Sequence, residues 1–203
     1  MQDALGEGQR IPTFFTGHEM DGSVAKRNHG HIAIVPDLER ERVLIAEPER
    51  LRGMIPDGDR FVSRLLGRVL AEMDTVLAGR AGRLRMGPII DVEDDGLCQV
   101  ARLWKSLTPY RPTRYGKHGS DEAKLAEDIR GECRRRGFPE PFVEVYHLER
   151  GPRGGLQAMT TLRFDRPVRG PLLLGKSCHF GAGLFQAVSE TIRPVEENGT
   201  ATL

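Results

Sequence analysis

The stretch SDEAKLAEDIRGECRRRGFPEPFVEVYHLE (residues 120–149) decides the fold class, because it reads as a helix and then, after a short break, as a strand. Ser120 can cap the helix, Asp121 and Glu122 sit in its first turn, and Arg134, Arg135 and Arg136 crowd its last turn before Gly137 and Pro139. Acids at the amino end and bases at the carboxyl end both complement the helix dipole, and the glycine supplies a stop. FVEVYHLE (142–149) and LQAMTTLRFDRPV (156–168) follow as strands, and LCQVARLW (97–104) precedes the helix as a partly alternating one.

Working outward, HIAIVPD (31–37) and ERVLIAEP (41–48) read as strands joined by a short charged turn, and RLRMGPIIDV (83–92) as another. In PDGDRFVSRLLGRVLAEMDTVLAG (56–79), Phe61, Leu65, Leu66, Val69, Met73 and Val76 recur at helical spacing, which predicts a helix ending at Gly79. A final strand is expected over 183–188. The order predicts an α+β fold: a ferredoxin-like antiparallel sheet with two helices and added hairpins. Its helices would cover one face of the sheet and leave the other open to a ligand. One domain is expected over 11–190, with a loose segment at 1–10 and a tail at 191–203.

The 30 basic and 29 acidic residues nearly cancel, so the net charge of +1 excludes no partner class. Their distribution is more informative. No acid lies between Asp95 and Asp121, where Arg102, Lys105, Arg111, Arg114, Lys117 and His118 stand, nor between Asp165 and Glu190, which hold Arg166, Arg169, Lys176 and His179. Two such islands can present a positive face to a polyanion, or form ordinary solvated loops. Cys98, Cys133 and Cys178 are odd in number and lack paired spacing, which argues against a disulfide framework or zinc site and for a reduced, cytoplasmic protein. No apolar run approaches a membrane span, so no membrane is expected as a partner.

Two loops carry candidate binding chemistry. KSLTPYRPTRYGKHG (105–119) interleaves Tyr110 and Tyr115 with Lys105, Arg111, Arg114, Lys117 and His118, a pattern suited to RNA or, more blandly, to packing against Trp104. In PLLLGKSCHFGAGLF (171–185), Gly175, Gly181 and Gly183 bracket Lys176, Ser177, His179 and Phe180. Glycines let backbone amides approach a phosphate, Lys176 adds charge and Phe180 a stacking surface; the alternative is a bulge or turn that glycine merely permits.

The second loop, placed near the carboxyl end of a ferredoxin-like chain, resembles the glycine-rich signature of the repeat-associated RNA-binding superfamily of CRISPR systems. ARLWKSLTPYRPTR (101–114), RRRGFPEP (134–141), VRGPLLLGKSCHFGAGLF (168–185) and FFTGHEMDGSVAKRNHGHIAIVP (14–36) together are similar to the processing half of the fused backbone-and-processing subunit of type I-G (formerly I-U) systems. The similarity runs from about Phe14 to Val188. The fused subunit opens with a further domain for which this chain has no room, so either a stand-alone processing subunit or the carboxyl-terminal portion of a longer protein is expected. The resemblance implies a metal-independent endoribonuclease without cofactor. It would bind and cleave CRISPR repeat RNA to make mature crRNA and stay bound to that product, with other Cas effector subunits, in a Cascade-type complex. The alternative is a non-catalytic RNA-binding subunit of that complex.

Metal-free cleavage needs one group to take the 2′-hydroxyl proton and another to protonate the departing 5′-oxygen, leaving a 2′,3′-cyclic phosphate. Histidine suits both roles. His18, His29 and His31 cluster in the sequence, with His29 and His31 at i and i+2, hence on one face of a strand. Lys26 and Arg27 stand just upstream to meet transition-state charge, and His118 and His147 come behind as candidates. A metal site and purely structural histidines are the competing explanations. Arg134, Arg135 and Arg136 could track a phosphate backbone, or serve only the helix terminus.

Overall fold

The computed structural model describes residues 12–18, 21, 23, 31–37, 40–52, 60–77, 82–90, 95–114, 119–151 and 154–188. The chain is α+β with antiparallel sheets, compatible with a ferredoxin-like plan. Its centre is a five-stranded sheet of β5 (Val100–Ser106), β6 (Phe142–Arg150), β7 (Leu156–Arg169), β8 (Leu172–Leu173) and β9 (Leu184–Ala187), in the order β6-β7-β5-β9-β8. Helix α3 (Asp121–Arg136) connects β5 to β6.

Period-2 alternation sets which face each side chain takes. On β5, Trp104 and Ser106 are buried while Lys105 between them is exposed; on β7, Leu162 and Phe164 are buried while Arg163 is exposed. The buried set packs with Leu125, Ala126, Ile129 and Cys133 of α3 into the main core. Trp104 is fully buried and its indole N–H donates to the Ala101 carbonyl at 3.1 Å, so no polar cost offsets its burial.

Helix α3 begins and ends as its sequence requires. The Ser120 hydroxyl accepts from the Ala123 amide at 3.2 Å, and Gly137, in the left-handed region at φ 79°, turns the chain so that Phe138 N–H reaches the Cys133 carbonyl. Two buried charges on α3 join it to the end of the sheet. Glu132 pairs with Arg136 one turn on, Arg136 also donates to the Leu173 carbonyl, and the other Glu132 oxygen accepts the Gly175 amide at 2.7 Å.

The amino-terminal half forms smaller units. Strands β1 (Ala33–Asp37) and β2 (Arg42–Ala46) make a separate hairpin, with Ala33 opposite Ala46 and Asp37 opposite Arg42. Its buried face (Ala33, Val35, Leu44, Ala46) shares a second core with Leu97, Leu173, Cys178 and Leu184. Arg42 bonds both Asp37 and Asp95, fastening the hairpin to the approach to β5.

The helix expected over 56–79 is shorter: α2 is Arg60–Ala71, and Asp74 leads into β3 (Thr75–Leu77), which pairs with β4 (Arg83–Arg85). Leu65 and Val69 of α2 pack with Phe14 and Phe15, from helix α1 (Thr13–Thr16), and with Met73, in a cluster apart from the main core. Among the described residues, then, α2 packs in this separate cluster rather than in the core under the sheet. Once β1 and β2 close on each other, no crossover is left for it to make, and the β-α-β-β unit begins at β5. Where a second crossover helix would lie, the chain between β7 and β9 forms β8 and the glycine-bracketed loop. Among the described residues, no helix is long and apolar enough to cross a membrane.

Candidate nucleic-acid and catalytic site

The glycine-bracketed loop is closed by its own hydrogen bonds. The amide of Gly175 donates to Glu132, Lys176 to the Arg111 carbonyl, Phe180 to Ser177, Gly181 to Cys178, Ala182 to Ser177 and Gly183 to the Pro109 carbonyl. These six N–H groups therefore face protein acceptors, not an outside phosphate. The glycines answer to internal space as well: a Cβ at Gly183, whose φ is 59°, would lie 1.9 Å from the Leu174 carbonyl oxygen. Three side chains of the loop lie on its outer side. Lys176 and Ser177 are exposed, and Phe180 is 76% exposed, the largest value among the exposed large apolar residues.

On the loop's inner side, His179 is buried and meets His31, which lies just before β1. Their ring centroids are 3.7 Å apart at an interplanar angle of 30°. Both rings turn Nδ1 towards one acceptor, the Ile32 carbonyl, at 3.0 Å from His31 and 3.3 Å from His179. A carbonyl can only accept, so each ring carries an N–H at Nδ1 and meets any further partner through Nε2. His18 is pinned the same way, Nδ1 to the Thr16 carbonyl at 2.8 Å. Its neighbour Gly17 lies against the His31 ring, where a Cβ would come within 2.9 Å of Cδ2. Burial, and then the adjacent His31, depress the pKa of His179 to about 4. His179 is thus a neutral imidazole at neutral pH.

His31 and His18 therefore lie where the amino-terminal segment meets the glycine loop, and the loop brings His179 to them. No sequence signal links residues so far apart. His29, Lys26, Arg27, Tyr115, Lys117 and His118 lie outside the described residues. Among the described residues, no three His, Cys, Asp or Glu side chains converge as metal ligands.

Several expected RNA contacts are structural instead. Tyr110 is fully buried, and its hydroxyl donates to Asp128 at 2.7 Å, with Glu132 at 3.3 Å; burial and these carboxylates raise its pKa. It bridges to Ala158 of β7 through reciprocal backbone hydrogen bonds, so its ring cannot stack on a base. Arg136 is likewise internal. Of the triplet, Arg134 is exposed but paired with Glu127 and Glu140, and exposed Arg135 reaches Thr113 at 3.3 Å. Arg111, Arg114 and Lys105 are exposed. His147 is exposed and pairs with Glu149 at 3.4 Å, away from the histidine group's partners.

No protein-family model matches the chain, no curated protein matches it, and no solved structure matches its fold.

Proposed function

We propose that this chain is an RNA-binding protein that cleaves its RNA without a metal ion, acting on CRISPR repeat transcripts as the sequence resemblance suggests. The observation that carries this reading is the stacked His31–His179 pair beneath a loop that exposes Lys176 and Phe180. Two imidazoles this close do not both hold a proton cheaply, which separates an acid from a base. In this reading the neutral imidazole of His179 takes the 2′-hydroxyl proton, and His31 or His18, in its imidazolium form, gives a proton to the departing 5′-oxygen. Lys176 meets the charge that builds on the phosphate, and Phe180 stacks on a flanking base. Other Cas effector subunits would receive the protein with its product RNA.

A second reading, a non-catalytic RNA-binding subunit of such a complex, is favoured by the shared Ile32 carbonyl, which gives both histidines a purely structural use. Product chemistry separates the two. Repeat RNA incubated with the protein in EDTA should yield a discrete fragment ending in a 2′,3′-cyclic phosphate, and a single 2′-deoxy substitution at the cut site should abolish it. Binding without product would support the second reading.

A further inference from the structure

The face of the five-stranded sheet turned away from α3 is not an apolar surface. Val143 of β6 is in the main core, so its neighbours Phe142 and Glu144 point to the opposite face, and the same alternation puts Lys105 and Arg163 there. The register sets Phe142 directly across from Arg163, and sets Glu144 across from Thr161, which in turn pairs with Lys105. Tyr146, the extra residue of a bulge between Val145 and His147, also reaches this face, where the Lys105 ammonium lies 5.1 Å from its ring centroid. Phe142 is 66% exposed and Tyr146 44%.

We propose that this face is a binding platform for single-stranded RNA, separate from the histidine site; the choice of RNA as occupant rests on the proposed function above. Each exposed ring has a cation beside it, Phe142 with Arg163 and Tyr146 with Lys105. That is the pairing a single strand requires: a π-face for a base and a positive group for the phosphate next to it. The two rings are separated along β6 by about 10–13 Å, room for one base on each. Glu144 lies between them and can accept from a base amino group. A protein-docking face would concentrate its apolar residues and keep charge out of the centre; here charge and aromatic surface alternate. From β6 to β8, where the glycine loop starts, is four strand spacings, roughly 19 Å. A single strand of a few nucleotides could reach from one site to the other.

The test is fluorescence anisotropy with a labelled, unstructured RNA of about 12 nucleotides. Phe142→Ala/Tyr146→Ala should weaken binding by at least about 30-fold with no change in thermal midpoint, because both rings are exposed, while Tyr146→Phe should bind like wild type. Unchanged affinity in the double variant, with wild type binding well, would overturn the platform and leave the RNA-binding reading standing. Wild type with no measurable RNA affinity would overturn both. Binding that depends on the rings, in a protein that never cuts, would support the platform and sink the cleavage. Equal affinity for DNA of the same sequence would overturn the choice of RNA.

Discussion

The imidazoles of His31 and His179 stack 3.7 Å apart and share one hydrogen-bond acceptor, the Ile32 carbonyl. This relationship joins the amino-terminal segment to the glycine loop across most of the sequence, and it has consequences for stability as well as chemistry. His179 stays neutral in the folded chain down to about pH 4, whereas an unfolded histidine titrates near 6.5. Between those values the unfolded chain binds more protons. The contribution of His179 is therefore complete above about pH 6.5 and declines as pH falls towards 4, by up to about 3 kcal/mol. Urea unfolding at a series of pH values should show this decline, and His179→Gln should lack that part of it. Parallel profiles for the two proteins would contradict the assignment.

The same depressed pKa shapes the expected pH–rate curve. If His179 is the base, its limb of the cleavage profile rises with a midpoint near pH 4 and is flat by neutrality. A basic limb centred near pH 6.5 would indicate a different, solvent-exposed histidine as the base.

The buried Glu132 holds Arg136 and the Gly175 amide at once. Glu132→Ala should cost about 3–5 kcal/mol, since it strands a buried guanidinium and an amide together. Chemical denaturation measures this directly. A loss under about 1 kcal/mol would mean that the loop does not depend on α3.

Lys176 and Tyr110 should part company. Lys176→Ala should reduce RNA affinity a few-fold and lower the slope of log affinity against log salt by about 0.7. Tyr110→Phe should leave RNA affinity alone and cost about 1–3 kcal/mol of stability, because the Asp128 carboxylate loses its buried donor. Reversed results would return Tyr110 to the binding surface.

How much of this was legible beforehand follows from where the information lies. The β5–α3–β6–β7 run could be read because caps, dipole charges and alternation are local: Ser120, Gly137, and the Trp104/Lys105 and Leu162/Arg163 alternations each announce themselves. The end of α2 could not, since Met73 and Val76 keep a helical period although Asp74 has already turned the chain into β3. Nor could the fate of Tyr110, set among prolines and bases yet drawn inward by Asp128 on α3. The glycine loop stands out in the sequence, but its glycines serve tight contacts with Leu174, Pro109 and Glu132, which no local pattern reveals. The spacing of His31 from His29 marks it in the sequence. Its partnership with His179, like the platform residues Phe142, Tyr146 and Arg163, depends on the register and packing of distant segments.

The most direct measurement is a cleavage assay on a labelled CRISPR repeat RNA in EDTA, comparing wild type with His31→Ala and His179→Ala, with affinity measured in parallel. We expect one discrete cut by wild type, a loss of rate of at least about 100-fold in each variant, and RNA affinity within a few-fold of wild type in all three. Equal cleavage by wild type and both variants would contradict a catalytic role for the pair, and binding by all three with no cut would contradict the endoribonuclease itself.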